Sequence, residues 1–450
     1  MSFPAYPAYK DSTISWLGRV PSHWNVLRLK HACEVFPSNV DKHARDDEPP
    51  VRLCNYTDVY YNERITADMP FMEATASEEQ IARFTLRGGD TIITKDSETA
   101  DDIAVAAYVP DDLPGVVCGY HLSMVRPRGS TCGAFVKRLF DSIYAKARFA
   151  VAANGLTRVG LGQYAVDNID LPFPPADEQR AIAAFLDRET AKIDALVEEQ
   201  KRLIELLKEK RQAVISQAVT KGLDPSVPMK DSGVAWLGAV PAHWDLARLK
   251  FVAHVQTGVA KGKDTIGKVT IEVPYLRVAN VQDGYLDLDE VSTIEIPADD
   301  LPRYRLRAGD VLMNEGGDFD KLGRGHVWDG SIDPCIHQNH VFAVRPMGIS
   351  PRWLNAVTSS DYAQFFFMSR SKQSTNLASI SSTNLMEFPV VIPPAVEQEA
   401  LLNAIDAQCA TCDRMIESGE SAIQLLLERR SVLISAAVTG KIDVRALTPQ

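Results

Sequence analysis

The chain has 450 residues, 45% of them apolar and 24% charged, with a formal net charge of −11 at pH 7 and a pI near 5.4. That length allows two or three domains of ordinary globular composition, and the acidic balance is the opposite of the basic footprint of an isolated nucleic-acid binder. No uncharged apolar stretch approaches the roughly 18 to 20 residues that span a bilayer, and residues 1–10 lack the pattern of an export signal, so a cytoplasmic location is expected. The cysteines (Cys33, Cys54, Cys118, Cys132, Cys335, Cys409, Cys412) are few and mostly far apart, which argues against a disulfide framework and fits a reducing compartment.

Taken in chain order, the elements occur twice. The lead Lys10-Asp11-Ser12 through Trp16-Leu17-Gly18 to Pro21-Ser22-His23-Trp24 returns as Lys230-Asp231-Ser232 through Trp236-Leu237-Gly238 to Pro241-Ala242-His243-Trp244. Next, Leu86-Arg87-Gly88-Gly89-Asp90 matches Leu306-Arg307-Ala308-Gly309-Asp310, each a Gly-Asp turn feeding a β-rich run. His121 with Val125-Arg126-Pro127 matches His340 with Val344-Arg345-Pro346, and a weaker echo joins Arg52-Leu53-Cys54-Asn55 to Arg277-Val278-Ala279-Asn280. Short β-branched runs between Gly, Pro and Asp clusters predict a mixed α+β module with a mainly antiparallel sheet.

The last echo runs without a gap from Pro174-Pro175-Ala176-Asp177-Glu178-Gln179 and from Pro393-Pro394-Ala395-Val396-Glu397-Gln398. Proline in the first turn and acidic residues at the positive end of the dipole mark a helix start. Each helix is predicted to run about 40 residues, roughly 60 Å, and to end alike at Val219-Thr220-Lys221-Gly222 and Val438-Thr439-Gly440-Lys441. Ile193, Leu196, Leu203, Leu207 and Val214 fall on a 3,4 spacing equivalent to Cys412, Met415, Ala422, Leu426 and Leu433, a coiled-coil seam interrupted at Gln200 and Gly419. The expected architecture is α+β: two tandem recognition modules separated by two long helices that pair as an antiparallel coiled coil with pseudo-twofold symmetry. The alternative is two independent domains, each packing its own helix. The expected divisions are 1–172, a lead and first module; 173–222, the first spacer helix; 223–391, a linker, second lead and second module; and 392–450, the second spacer helix and tail.

The motifs carry little catalytic chemistry. There is no phosphate-binding G-x-x-x-x-G-K-[ST] loop, no H-E-x-x-H, no G-x-S-x-G and no paired C-x-x-C zinc spacing, so no catalytic or metal-ligating residue is assigned. Cys409-Ala410-Thr411-Cys412 lies inside a predicted helix beside its apolar seam and reads as small core residues. Asp318 and Asp320 with Lys321 could outline a nuclease centre, but the first module has no equivalent and an acidic surface loop is the commoner arrangement. The matched histidines, His23 with His243 and His121 with His340, suggest shared packing or hydrogen bonding rather than separate active sites.

The two Trp-to-Trp leads, the Pro-Pro-x-x-Glu-Gln helix starts and the Ser-x-Ala-Val-Thr helix ends (Ser216 to Thr220, Ser435 to Thr439) together resemble the specificity subunit of type I restriction-modification enzymes over nearly the whole chain. The resemblance implies that each module reads one half of a split, asymmetric DNA site while the helices set the separation and dock the modification subunits. It implies double-stranded DNA, two adenine-methylating modification subunits and restriction-translocase subunits as partners. It implies no cofactor in this chain, with S-adenosylmethionine, ATP and Mg on the partners, and no catalytic role of its own. The candidate base readers are the polar loops Asn154, Thr157 and Arg158 and Gln373, Ser374, Thr375 and Asn376, together with Lys95, Asn314, Arg324 and His326, because Asn and Gln pair bidentately with adenine and Arg with guanine. A tandem protein-binding adaptor with a coiled-coil spacer is the competing reading.

Overall fold

The computed structural model describes residues 3–262, 267–319, 322–373 and 378–447. The chain forms two compact units, Met1–Gln200 with Ser421–Gln450, and Lys201–Glu420. Both are mixed helix and sheet. Among the described residues no helix is long and apolar enough to cross a membrane.

In the first unit the lead forms a hairpin, Tyr9–Asp11 against Arg19–Pro21. Its loop is closed by Ser12 N donating to Gly18 O at 3.0 Å, with Gly18 at φ 70° supplying the left-handed turn. The tight loop turns Leu17 inward and Trp16 outward. Asn25–Arg28 then pairs with Asp170–Phe173, the strand that leads into the long helix. The module's main sheet orders Cys33–Pro37, Leu122–Pro127, Thr91–Thr94 and Ala106–Tyr108, all antiparallel. A second sheet adds one parallel pair, Val116–Cys118 beside Pro50–Cys54. The second unit repeats this plan with Ala253–Thr257, Val341–Pro346, Val311–Asn314 and Gly325–Val327 in the main sheet and Thr270–Leu276 parallel to Ile336–His337 in the other.

The sequence echoes turn out to be interactions. The Gly-Asp turns and the Val-Arg-Pro strand ends meet in a two-pronged ion pair: Arg126 Nε and Nη2 reach Asp90 at 2.8 and 2.7 Å, and Arg345 reaches Asp310 at 2.7 Å with both nitrogens. The same aspartates cap their own turns, accepting from Arg87 N at 2.9 Å and Arg307 N at 2.8 Å. The weak echo is out of register by three residues. Cys54 pairs with Cys118, three before His121, whereas the residue paired three before His340 is Leu276, opposite His337. Asn55 therefore corresponds to Arg277 rather than to Asn280.

The Pro-Pro-x-x-Glu-Gln motif is a junction between lead, module and helix. Glu178 accepts from Trp24 Nε1 at 3.0 Å, lies 2.8 Å from His23 Nε2 and also accepts from Tyr6 Oη. Glu397 repeats this with Trp244 at 3.0 Å and His243 at 2.7 Å. Gln179 Oε1 accepts from Cys132 N at 2.8 Å and Gln398 Oε1 from Ser350 N at 3.3 Å, each at the start of a module helix.

The long helices run Ala176–Lys221, 46 residues, and Ala395–Val438, 44 residues. Each unit contains part of both. In the first, Ile193 and Val197 share a core with Leu433, Ile434, Ala437 and Val438; in the second, Ile215, Ala218 and Val219 share one with Leu401, Leu402, Ile405 and Cys409. The helix ends act on the opposite copy's module. Ser435 Oγ accepts from Ile143 N at 2.8 Å, and Ser216 Oγ accepts from Asp361 N at 2.8 Å. One ion pair recurs with the helices exchanged: Arg430 with Asp194 at 2.8 Å in the first unit, Arg211 with Asp413 at 3.0 Å in the second.

The seam differs from the expected one. Ile193 and Leu207 are buried, but Leu196 is 46% and Leu203 40% exposed, and their places are taken by Val197 and Ile204. On the second helix Cys412 and Leu433 are buried, Leu426 is half-buried and Met415 is exposed, Ile416 facing inward instead. Val214 is half-buried beside the fully inward Ile215. The heptad stagger is thus four-then-three from Ile193 rather than three-then-four. Adjacent apolar residues, Leu196-Val197 and Leu203-Ile204, satisfy either stagger, and the second of each pair is the buried one. Gln200 is half-buried and Gly419 buried.

Candidate nucleic-acid interface

The first module gathers several predicted loops at one tip. Val159–Gly160 pairs with Asp96–Ser97, and Leu161 N donates to Lys95 O at 2.8 Å, which lays the 154–158 loop over the strand that carries Lys95 and Asp96. Asp96 is the node: it lies 2.7 Å from His121 Nδ1 and accepts from Arg158 at 3.0 Å. Lys95 Nζ donates to Ser38 O at 3.3 Å and sits 4.3 Å over the Tyr120 ring; burial lowers its pKa. Asn154 donates to its neighbour Ala152 O at 2.9 Å, and Thr157 is exposed. Beside this node a cleft of about 260 Å³ is lined by Lys42, His43, Asn55, Tyr56, Tyr120 and His121. The tip thus offers cations, an imidazole and exposed aromatic edges, a set suited to phosphate and base-edge contact. Tyr120 and His121 were not chosen from sequence for this role; the repeated histidine was the available signal.

In the second module the scaffold is equivalent and the chemistry is not. Gly316–Gly317 pairs with Ala378–Ser379, which pairs with Lys372–Gln373, leaving Gln373 exposed. Glu315 stands where the first module has Lys95 and lies 2.8 Å from His340 Nδ1. Ser374, Thr375 and Asn376 lie outside the described residues, as do Asp320 and Lys321. Asn314 is corrected: it is fully buried, its amide donating to Val281 O at 2.8 Å, so it braces the core and cannot meet a base. Arg324 is half-buried, its carbonyl accepting from Asn314 N at 3.0 Å. His326 lines a cavity of about 410 Å³ with Arg211, Arg352, Asn355 and Leu402, on the long-helix side of its strand. Burial lowers its pKa.

Cys409 and Cys412 are buried within the second long helix, and burial pushes the Cys409 thiol up. Among the described residues no group of three or more His, Cys, Asp or Glu could hold a metal ion.

No protein-family model matches the chain. Its full-length relatives are nonetheless consistent: the EcoKI specificity subunit of Escherichia coli (strain K12) is 22% identical over 449 residues, 95% of this chain and 91% of that protein, and the StySPI specificity subunit of Salmonella potsdam is 21% identical over the same shares. Over nearly its whole length the chain is similar to type I restriction enzyme specificity subunits. The MjaVIII specificity subunit of Methanocaldococcus jannaschii is 25% identical over 62% of the chain and 64% of its own length. Among solved structures, the HsdS subunit from Thermoanaerobacter tengcongensis superposes with a TM-score of 0.51 at 17% identity, covering 94% of this chain and 98% of that one. A chain from a study of complex assembly and conformational transition in a type I R-M system gives 0.68 at 16% identity, covering 94% and 99%. These establish the specificity-subunit fold.

Proposed function

We propose that the chain is the DNA sequence-specificity subunit of a type I restriction-modification complex, each module reading one half of a bipartite site. The observation that carries this reading is the pairing of like scaffolds with unlike tips: Lys95, Asp96, Arg158 and His121 on one, Glu315, His340 and Gln373 on the other. Different side chains on one framework are what two different half-sites require. The candidate readers are accordingly Lys95, Asn154, Thr157 and Arg158 in the first module and Arg324, Gln373 and the 374–376 loop in the second.

The long helices act as the ruler between half-sites. Antiparallel coiled-coil pairing with pseudo-twofold symmetry is supported by the exchanged ion pairs, Arg430 with Asp194 and Arg211 with Asp413, and by the exchanged serine contacts. Two modification subunits, and restriction subunits with them, are the proposed partners. S-adenosylmethionine, ATP and Mg belong to those partners, and this chain performs no catalysis itself. A net charge of −11 leaves much of the phosphate neutralisation to them.

Methylated adenines mapped across the genome of cells with and without this chain test the proposal. A split, asymmetric motif that disappears with the chain is expected. An unchanged methylation pattern would overturn the reading and favour a protein-binding adaptor.

A further inference from the structure

We infer that the exposed indole of each lead, Trp16 and Trp236, is the centre of a docking surface for a protein partner that binds the chain twice, presenting an apolar side chain flanked by carboxylates. The inference rests on the proposed function, which supplies such a partner in the modification subunit.

The lead hairpin explains the exposure. Its loop is closed in both copies by the same bonds, Ser12 N to Gly18 O at 3.0 Å and Ser232 N to Gly238 O at 3.2 Å, and it buries Leu17 and Leu237 while turning the preceding tryptophan outward. Trp16 is 51% and Trp236 39% exposed, whereas the second tryptophan of each lead, Trp24 and Trp244, is fully buried. Folding needs the buried pair. The outer indole stays at the surface in both copies, and in the second unit it continues into a wider apolar groove, the kind of patch that marks an interaction site.

What surrounds the rings defines the occupant. In the second unit Trp236 leans on Phe365 and Phe366, with centroids 6.0 and 6.1 Å away, at the edge of a groove of about 460 Å³ lined by Leu246, Phe366 and Pro389 and rimmed by Arg248 and Arg370. Glu387 holds Arg248 at 2.7 Å and Lys250 at 2.6 Å, while the Arg370 guanidinium lies over the Phe366 ring. In the first unit the Arg148 guanidinium lies 5.5 Å over Trp16, from the helix position equivalent to Phe366. There Arg28 and Lys30 share the amide oxygen of Asn168, at 3.4 and 2.8 Å, where the second unit has Glu387. In the second unit the groove has an apolar floor and a rim where Arg248, Lys250 and Arg370 outnumber Glu387, and in the first Arg28, Lys30 and Arg148 stand around Trp16; both complement an apolar anchor beside acidic residues.

The repeat separates protein from DNA as the occupant. Two half-sites differ, and so do the two reading tips. Both copies keep an outward indole with an arginine of the same module helix beside it, Arg148 or Arg370, although the floors differ; a feature kept in both points to a ligand common to both halves, and base pairs stacked within a duplex offer no side chain to bury in an apolar groove.

The test uses the full chain co-expressed with its modification subunit, with uptake measured by sedimentation and native mass spectrometry. Wild type is expected to take up two copies. Trp16→Ala and Trp236→Ala should each weaken one copy about 30-fold, the loss typical of truncating an interface anchor, and the double variant should weaken both. Arg148→Glu and Arg370→Glu, which reverse one charge beside each indole and leave both rings in place, should act in the same direction and guard against a folding effect of the tryptophan changes. Undiminished uptake by both the double tryptophan and the double arginine variants would overturn the inference while leaving the functional reading intact. Undiminished uptake with DNA affinity reduced tenfold would overturn it in favour of a DNA-contacting surface. A wild-type chain that takes up no modification subunit would overturn both.

Discussion

At the scale of single residues, the most consequential group is a carboxylate that never faces the proposed ligand. Glu178 satisfies the indole of the fully buried Trp24, along with His23 and Tyr6. Glu178→Ala leaves the buried Trp24 and Tyr6 donors without their acceptor, so a loss of about 3 kcal/mol is expected in urea unfolding. Glu397→Ala should cost less, about 1 kcal/mol, because its side chain is 32% exposed against 7% for Glu178. Acid should act on the two units in different windows. Burial pushes His337 down to about 4, below the ordinary value of about 6.5. The unfolded chain therefore takes up that proton first, and stability of the second unit should be complete above pH about 6.5 and fall between there and 4. His337→Gln should flatten this slope in fluorescence-monitored unfolding; an unaltered slope would refute the assignment. Burial alone would raise Glu63, but Lys137, Arg138 and Arg430 together hold it down at about 2. Its contribution should be present above about pH 4.3 and disappear as the pH falls toward 2, and Glu63→Gln should remove that part of the acid transition of the first unit.

At the scale of elements, the long helices show what a periodic pattern can and cannot specify. Their existence, starts and ends were legible because Pro-Pro-x-x-Glu-Gln and the terminal Val-Thr are local signals. Their inward faces were not, because Leu196-Val197 and Leu203-Ile204 offer two apolar choices in a row. The corrected seam makes a direct prediction. Ile204→Ala, at a buried position, should cost about 3 kcal/mol in thermal or urea unfolding, whereas Leu203→Ala should cost under about 1 kcal/mol. Equal losses would restore the three-then-four stagger. The modules differ in a related way. Lys137 and Arg138 are buried among Glu63, Asp141 and Asp187 in the first unit, while Asn355 and Ala356 occupy the equivalent helix positions in the second and border its 410 Å³ cavity.

At the scale of the whole molecule, the helices' proposed role as a ruler has a mechanical consequence. Adding seven residues to each lengthens it by about 10 Å, about three base-pair steps. The gap between methylated half-sites should change while the half-site sequences stay the same, which genome-wide methylation mapping would show. Altered half-sites at a constant gap would refute the ruler. The acidic balance gives a second expectation: the chain alone should bind its site weakly at physiological salt and gain affinity on adding the modification subunit. Equally tight, site-specific binding without it would place the phosphate contacts on this chain.

The sequence by itself determined the duplication, the α+β character of each module and the place of the long helices, because these depend on short-range signals such as caps, turns and repeated tryptophans. It also marked Glu178, Asp90 and Ser216 as repeated, without saying what they hold. Only the tertiary structure paired Asp90 with Arg126, Trp24 with Glu178 and Ser216 with the opposite copy's module, since those partners are separated by tens to hundreds of residues and side-chain type alone does not choose among them. Asn314 makes the same point in reverse. Its type and loop context suggested a base reader, and the Gly325–Val327 strand and the main-chain carbonyl of Val281 enclosed it in the core, where its amide serves the fold.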